Sequence, residues 1–385
     1  MRDHTTPIDL AALRRDLHRH PELAGREAGT AGRLRELLAG LAPDDLVAGL
    51  GGHGLAAVFR GAAAGPRVLL RCELDALPQP EFLELPHGST VPGVAHKCGH
   101  DGHMAMMVGA AADLAAERPA RGEVVFLFQP AEETGEGAAR VIADPAFARL
   151  EPDRAFALHN LPGEELGAVL WRRGPFACAS EGLVVELTGA SAHAGEPEAG
   201  RSPALALAGL IQALSEAPRR PPAFAEDVRS TVVHARLGEE ALGTTPGRAR
   251  LVATLRAVDP SDLERLAARC RAIAMELAAA HGLAVSLWSA EPFPATVNDT
   301  EVAELAATVA GELGLALREL PRPLPWSEDF GHFTARCPGA LVGLGAGTGQ
   351  PPLHHPDYDF PDALIEPGRR LLAGIARRLT RAGDA

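Results

Sequence analysis

The chain has 385 residues, 46% hydrophobic and 23% charged, ordinary globular values that allow a sizeable core and, on length, two domains. Its formal net charge of -13, from 37 basic and 50 acidic residues, repels phosphate backbones, and no apolar stretch reaches the roughly 18 to 20 residues that span a bilayer, so neither nucleic acid nor membrane is expected as a partner. The five cysteines are scattered and odd in number and the polar amino end, Met1 to Leu10 with Asp3 and His4, lacks the order of a secretory signal; a cytoplasmic protein with reduced thiols is expected.

In chain order, Leu10, Leu13, Leu17, Leu34, Leu37 and Leu38 recur at helical spacing and read as one amphipathic helix. From Ala56 short apolar runs bounded by Gly and Pro, Ala56 to Phe59 and Val68 to Leu70, read as buried strands. A helix is expected over Met104 to Ala116, then strands over Val124 to Phe128 and Ala155 to Leu158, and this alternation implies an α/β layer architecture. Between Cys178 and Trp288 the texture changes. Leu183 to Leu187, Ser230 to Leu237 and Ala249 to Leu255 alternate, while Pro203 to Leu214 and Ser261 to His281 have helical periodicity. These segments read as an inserted α+β block with two helices on one face of a four-stranded sheet. The first texture resumes through Val302 to Leu313 and Gly339 to Leu344, which gives a discontinuous domain, 1–177 and 290–385, around an insert at 178–289.

The chemistry concentrates at the ends of these strands. In His96-Lys97-Cys98-Gly99-His100-Asp101-Gly102-His103 two glycines flank a thiol and several imidazoles, a donor set that suits Zn²⁺ or a neighbouring transition ion. The bland reading of any one of these histidines is a helix cap. Glu132 and Glu133 follow the strand ending at Phe128, where open α/β sheets place their functional loops; one carboxylate could ligate a cation while its neighbour serves as base. The alternative is a solvated acidic loop. His159 sits at the end of the next strand, the His354-His355 pair lies in a Pro-rich loop, and Asp75 follows Val68 to Leu70, where its carboxylate could orient a ligand histidine. Lys97 is the sole lysine, so a substrate carboxylate would be met by an arginine such as Arg256, by Asn298, or by amides of Gly343 to Gly349. A thiol hydrolase with Cys98 as nucleophile and His100 as base is a competing reading, separable by a chelator.

The strings Cys98 to His103 and Gln129 to Glu133, with Leu17 to Glu22, Glu73 to Pro78, Leu158-His159, Gly189 to Pro197, Ser327 to Phe330 and Leu353 to Phe360, resemble the M20 metallopeptidase and amidohydrolase family, in its aminoacylase-like branch with hippurate hydrolases and auxin-conjugate hydrolases. The resemblance implies a mixed-sheet metallohydrolase domain interrupted by a lid that often mediates dimerisation, hence a homodimer. It implies one or two divalent ions, Zn, Mn or Co, with Cys98 bridging and His100, Glu133, His159 and His354 completing the set. By the same resemblance Glu132 is the general base and His193 polarises the scissile carbonyl of an N-acyl amino acid. A dipeptidase, an N-carbamoyl amino acid hydrolase and a catalytically silent homologue are the alternatives on that scaffold. The chain departs from the family pattern at Glu73, usually Asp, at Ala190-Ser191, and at Gly243 to Pro246, where relatives carry an Asn-containing turn.

Overall fold

A computed structural model describes residues 8–382; Asp3 and His4 of the polar amino end lie outside the described residues. The chain divides into two compact units. The first comprises the chain through Phe176, Thr296–Arg322 and the chain from Asp329 onward, and the second comprises Ala177–Ala295 with Pro323–Glu328. The second unit therefore runs six residues beyond the expected insert end at 289, because its last strand continues to Phe293.

In the first unit an eight-stranded mixed sheet has the spatial order Asp45–Leu50, Gly54–Arg60, Arg121–Gln129, Ala63–Glu73, Arg154–Leu161, Gly339–Gly345, Val169–Trp171, Leu317–Glu319. Its centre is parallel: Ala63–Glu73 runs parallel to both Arg121–Gln129 and Arg154–Leu161, and the last of these runs parallel to Gly339–Gly345. Near-continuous apolar burial along these strands is what a parallel sheet covered on both faces demands. Their carboxyl ends lie on one edge, which is where such sheets gather ligands.

Helix His100–Ala116 packs against Leu10–Arg19 and Ile365–Thr380 and is buried almost all round. It begins at His100, four residues before the expected start, because Gly99 takes a φ of 98° and turns the chain directly into the helix. Gly102 lets the Phe360 ring approach so closely that a Cβ there would stand 2.4 Å from it.

The single amino-terminal helix expected from leucine spacing is two helices, Leu10–Arg19 and Ala28–Gly40. Pro21 forces the preceding His20 out of the helical region, to φ -126° and ψ 57°, so the apolar periodicity continues while the helix does not. The strand expected to end at Leu158 continues to Leu161, which places His159 inside it.

The second unit is an antiparallel sheet in the order Val228–Leu237, Arg248–Ala257, Ala179–Thr188, Ala284–Phe293, with helices Ala204–Glu216 and Pro260–Ala280 packed on it over their own apolar core. Its fourth strand is half exposed at the sheet edge, which explains its weak sequence signal. Among the described residues no helix is long and apolar enough to cross a membrane.

Candidate metal centre

The site in the first unit is assembled at the carboxyl edge of the parallel strands. Strand Arg121–Gln129 delivers the turn carrying Glu132 and Glu133, in which Ala131 has a φ of 53°. Three carboxylates from distant segments hold that turn and the start of the helix Gly137–Ala143 that follows it. Ala131 N–H donates to Glu27 Oε1 at 2.8 Å, Glu133 N–H to Asp75 Oδ2 at 2.9 Å, and Ala138 N–H to Asp329 Oδ2 at 2.8 Å. Buried amides of an irregular turn need such acceptors, because no ladder supplies them.

The histidines are aimed by the backbone. His100 Nδ1 meets the Asp75 carbonyl at 2.8 Å and His159 Nδ1 the Asn160 carbonyl at 2.9 Å. A carbonyl only accepts, so each Nδ1 carries its proton and each Nε2 keeps its lone pair. His159 Nε2 lies 3.4 Å from Cys98 Sγ. His100 Nε2 lies 3.8 Å from Glu132 and 3.9 Å from Glu133, and His354 Nε2 3.7 Å from Glu133.

Ligand atoms within 4.8 Å of one another form the groups Cys98–His100–His159, Cys98–Glu133–His354 and His100–Glu132–Glu133. His100 Nε2 is buried and has no hydrogen-bond partner among the described residues. An orphaned imidazole lone pair facing a thiol and carboxylates fits a divalent transition ion. Burial pushes His100 down to about 3, which keeps it neutral, and partial desolvation also lowers His354. Burial pushes Asp75 up to about 7.

Glu73, His100 and His103 form a further close group, but its chemistry is that of an ion-pair network. Burial alone would raise the Glu73 carboxyl, yet Arg71 and His103 hold it well below the usual range. His103 spends its two ring nitrogens on Glu73 at 2.7 Å and Asn160 at 2.6 Å.

The structure thus brings together Cys98, His100, Glu132, Glu133, His159 and His354. His355 is exposed and receives Asp357 N–H on its Nδ1 at 3.2 Å. Asp75 reaches the ligand histidine through its carbonyl, and its carboxylate, 3.7 Å from His100 Nδ1, holds the Glu133 amide. Asn298, expected as a substrate contact, is corrected. It is buried, its amide donates to the Arg172 and Leu341 carbonyls at 3.0 and 2.9 Å and accepts Leu341 N–H at 2.8 Å, so it ties strands together.

In the second unit His193 is exposed, pairs with Thr244 in a short ladder and accepts Gly195 N–H at 3.0 Å. Arg256 donates to the Ser327 hydroxyl at 2.7 Å and has no carboxylate in ion-pair range among the described residues. Burial lowers its pKa.

Sequence reasoning missed Glu27, Asp329 and the structural use of Lys97. The sequence signal available for Lys97 was its being the sole lysine of the chain.

Residues 69–378 match the family described as Peptidase family M20/M25/M40. The chain is 30% identical to the N-acetyl-L-cysteine deacetylase of Bacillus subtilis (strain 168), over 100% of this chain and 93% of that protein. It is also 30% identical to the IAA-amino acid hydrolase ILR1-like 4 of Arabidopsis thaliana, over 96% of this chain and 85% of the relative. Among solved structures it is similar to the Bacillus subtilis YXEP protein, a dinuclear metal binding peptidase from the M20 family, at a TM-score of 0.80 and 26% identity, with 98% of each chain covered. With the match spanning most of its length, the chain belongs to peptidase family M20/M25/M40.

Proposed function

We propose that this protein is a metal-dependent amidohydrolase that cleaves N-acyl amino acids into a carboxylic acid and an amino acid. The observation that carries this is the placing of Cys98, His100, His159, Glu133 and His354 in close groups that overlap at Cys98, His100 and Glu133, with Glu132 beside His100. The names of the relatives, a deacetylase of an N-acetyl amino acid and a hydrolase of an amino-acid conjugate, support the substrate class.

Cys98, His100, Glu133, His159 and His354 would hold one or two divalent ions, Zn, Mn or Co, with Cys98 in two of the close groups and so able to be shared. A bound ion supplies Lewis acidity, making water acidic enough to lose a proton near neutral pH. Glu132 takes that proton as water adds to the acyl carbon, then returns it to the amide nitrogen as the C–N bond breaks. Asp75 keeps Glu133 and His100 in place through its carboxylate and carbonyl.

His193 donates to the carbonyl oxygen as negative charge develops, and Arg256, a partly buried guanidinium without a carboxylate partner among the described residues, takes the substrate α-carboxylate. The family resemblance supports a homodimer formed through the second unit, and five cysteines that form no disulfide suit a reducing, cytoplasmic setting.

The Cys98–His159 contact at 3.4 Å also favours a second reading, a thiol hydrolase using this pair. One experiment separates them: metal-stripped protein is assayed on acetyl, benzoyl, indoleacetyl and carbamoyl amino acids and on dipeptides, with Zn²⁺, Mn²⁺ or Co²⁺ restored. Turnover that returns only with metal is expected. Full turnover of the stripped protein would favour the thiol, and turnover of carbamoyl or dipeptide substrates alone would move the substrate class.

A further inference from the structure

We propose that Lys97 is a positioning residue that fixes the His354 loop against the Cys98 turn, an inference that rests on the metal-centre reading above. Lys97 is fully buried and tethers the loop 353–360 from both of its own ends. Its main-chain carbonyl accepts His354 N–H at 2.9 Å, and its ammonium donates to the Tyr358 carbonyl, also at 2.9 Å. The next residue is Cys98. Two ligands 256 positions apart in the chain are thereby held in register by one residue adjacent to the first of them.

His354 needs this support. It has a φ of 63°, a left-handed conformation that side-chain-bearing residues adopt only when their surroundings impose it. The ammonium in turn needs a counter-charge, and the Glu81 carboxylate provides it. Glu81 also receives His18 Nε2 at 2.9 Å and Ser89 N–H at 2.7 Å, and His18 Nδ1 is bonded to Asp101 at 2.8 Å, the residue after ligand His100. The network therefore closes around the whole 97–101 turn.

The residue type points the same way. Apart from histidines, every other basic side chain in this protein is arginine. A compact ammonium with three donors can serve one carbonyl and one carboxylate in a sealed seat, whereas a planar guanidinium would bring five donors and leave some unpaired.

The test uses metal-stripped full-length protein titrated with Zn²⁺ against a chromophoric chelator, with the urea unfolding midpoint of the stripped protein measured in parallel. His354→Ala identifies the binding step that depends on the loop. Lys97→Met is expected to weaken that step by about tenfold or more and to leave any step that His354→Ala spares within about twofold. Lys97→Met also takes from Glu81 one of the two positive groups that face it and leaves His18 alone, so the double variant Lys97→Met/Glu81→Gln is made to recover unfolding stability. It is expected to recover stability and not the weakened step. Restoration of that step together with stability, or equal weakening of every step, overturns the positioning role. Wild-type protein that takes up no ion overturns the metal-centre reading, and the role of Lys97 with it.

Discussion

The Asp75 carbonyl accepts the Nδ1–H of His100 at 2.8 Å, and that bond decides which ring nitrogen faces Glu132 and Glu133. With Nε2 fixed as the lone-pair donor, the two adjacent carboxylates divide by reach: Glu133 lies near both His100 and His354, at 3.9 and 3.7 Å, which suits a ligand. Glu132→Gln is accordingly expected to keep metal content and KM while kcat falls by about 10²- to 10⁴-fold, the usual worth of a general base. Glu133→Gln is expected to lower metal affinity first. Metal analysis of both purified variants, with saturation kinetics, checks the division; metal loss in Glu132→Gln with retention in Glu133→Gln would exchange the two roles.

Glu27 supports the same turn from outside it. Its Oε1 accepts the N–H groups of Gly25 and Ala131, both at 2.8 Å, and the second amide belongs to a residue at φ 53°. Glu27→Ala strands a buried amide and is expected to cost about 1 to 3 kcal/mol in urea unfolding. Glu27→Gln keeps an acceptor oxygen at the same place and should recover most of that loss. Equal destabilisation by both would mean the carboxylate charge, not the hydrogen bond, is what the turn requires.

These supports mark the boundary of what the sequence discloses. Cys98, His100 and the Glu132-Glu133 pair are legible because glycines and strand ends lie within a few residues of them, and such short-range patterns survive in a single sequence. His354 was separable from His355 only by family resemblance. Glu27 reaches Ala131 across 104 positions, and nothing in local periodicity announces so distant a partner. Asn298 was misjudged for a related reason: a polar residue near a strand end looks available until the main-chain groups that consume its amide are located. Leucine spacing across Pro21 predicted burial correctly and helix continuity incorrectly, because periodicity reports which side is apolar and not whether the backbone is continuous.

Gly102 offers a steric test of the link between helix His100–Ala116 and the loop of His354. A methyl group at that position would meet the Phe360 ring at 2.4 Å, so the ring has to move. Gly102→Ala is expected to destabilise the protein by about 1 to 3 kcal/mol, as overpacked cores do. Because Phe360 shares its loop with His354, metal affinity should fall as well. A variant with native stability and native metal binding would show that Phe360 swings away freely.

His18 supplies the pH test. Burial would lower its pKa, but Asp101 and Glu81, against the opposing charge of Arg14, raise it from 6.5 to about 9. A cation whose folded pKa exceeds its unfolded value binds its proton more tightly when folded, so its stabilisation is complete below pH 6.5 and is lost as pH rises toward 9. The difference is worth roughly 3 kcal/mol. Glutamine at this position can hydrogen-bond to one of the same carboxylates but cannot titrate. Metal-stripped wild type is therefore expected to exceed His18→Gln in urea-unfolding free energy by the widest margin near pH 6, with the margin narrowing through pH 7 to 9. A margin that stays constant across that window would mean that His18 does not hold its extra proton in the folded protein, and its ring could then donate to only one of Asp101 and Glu81.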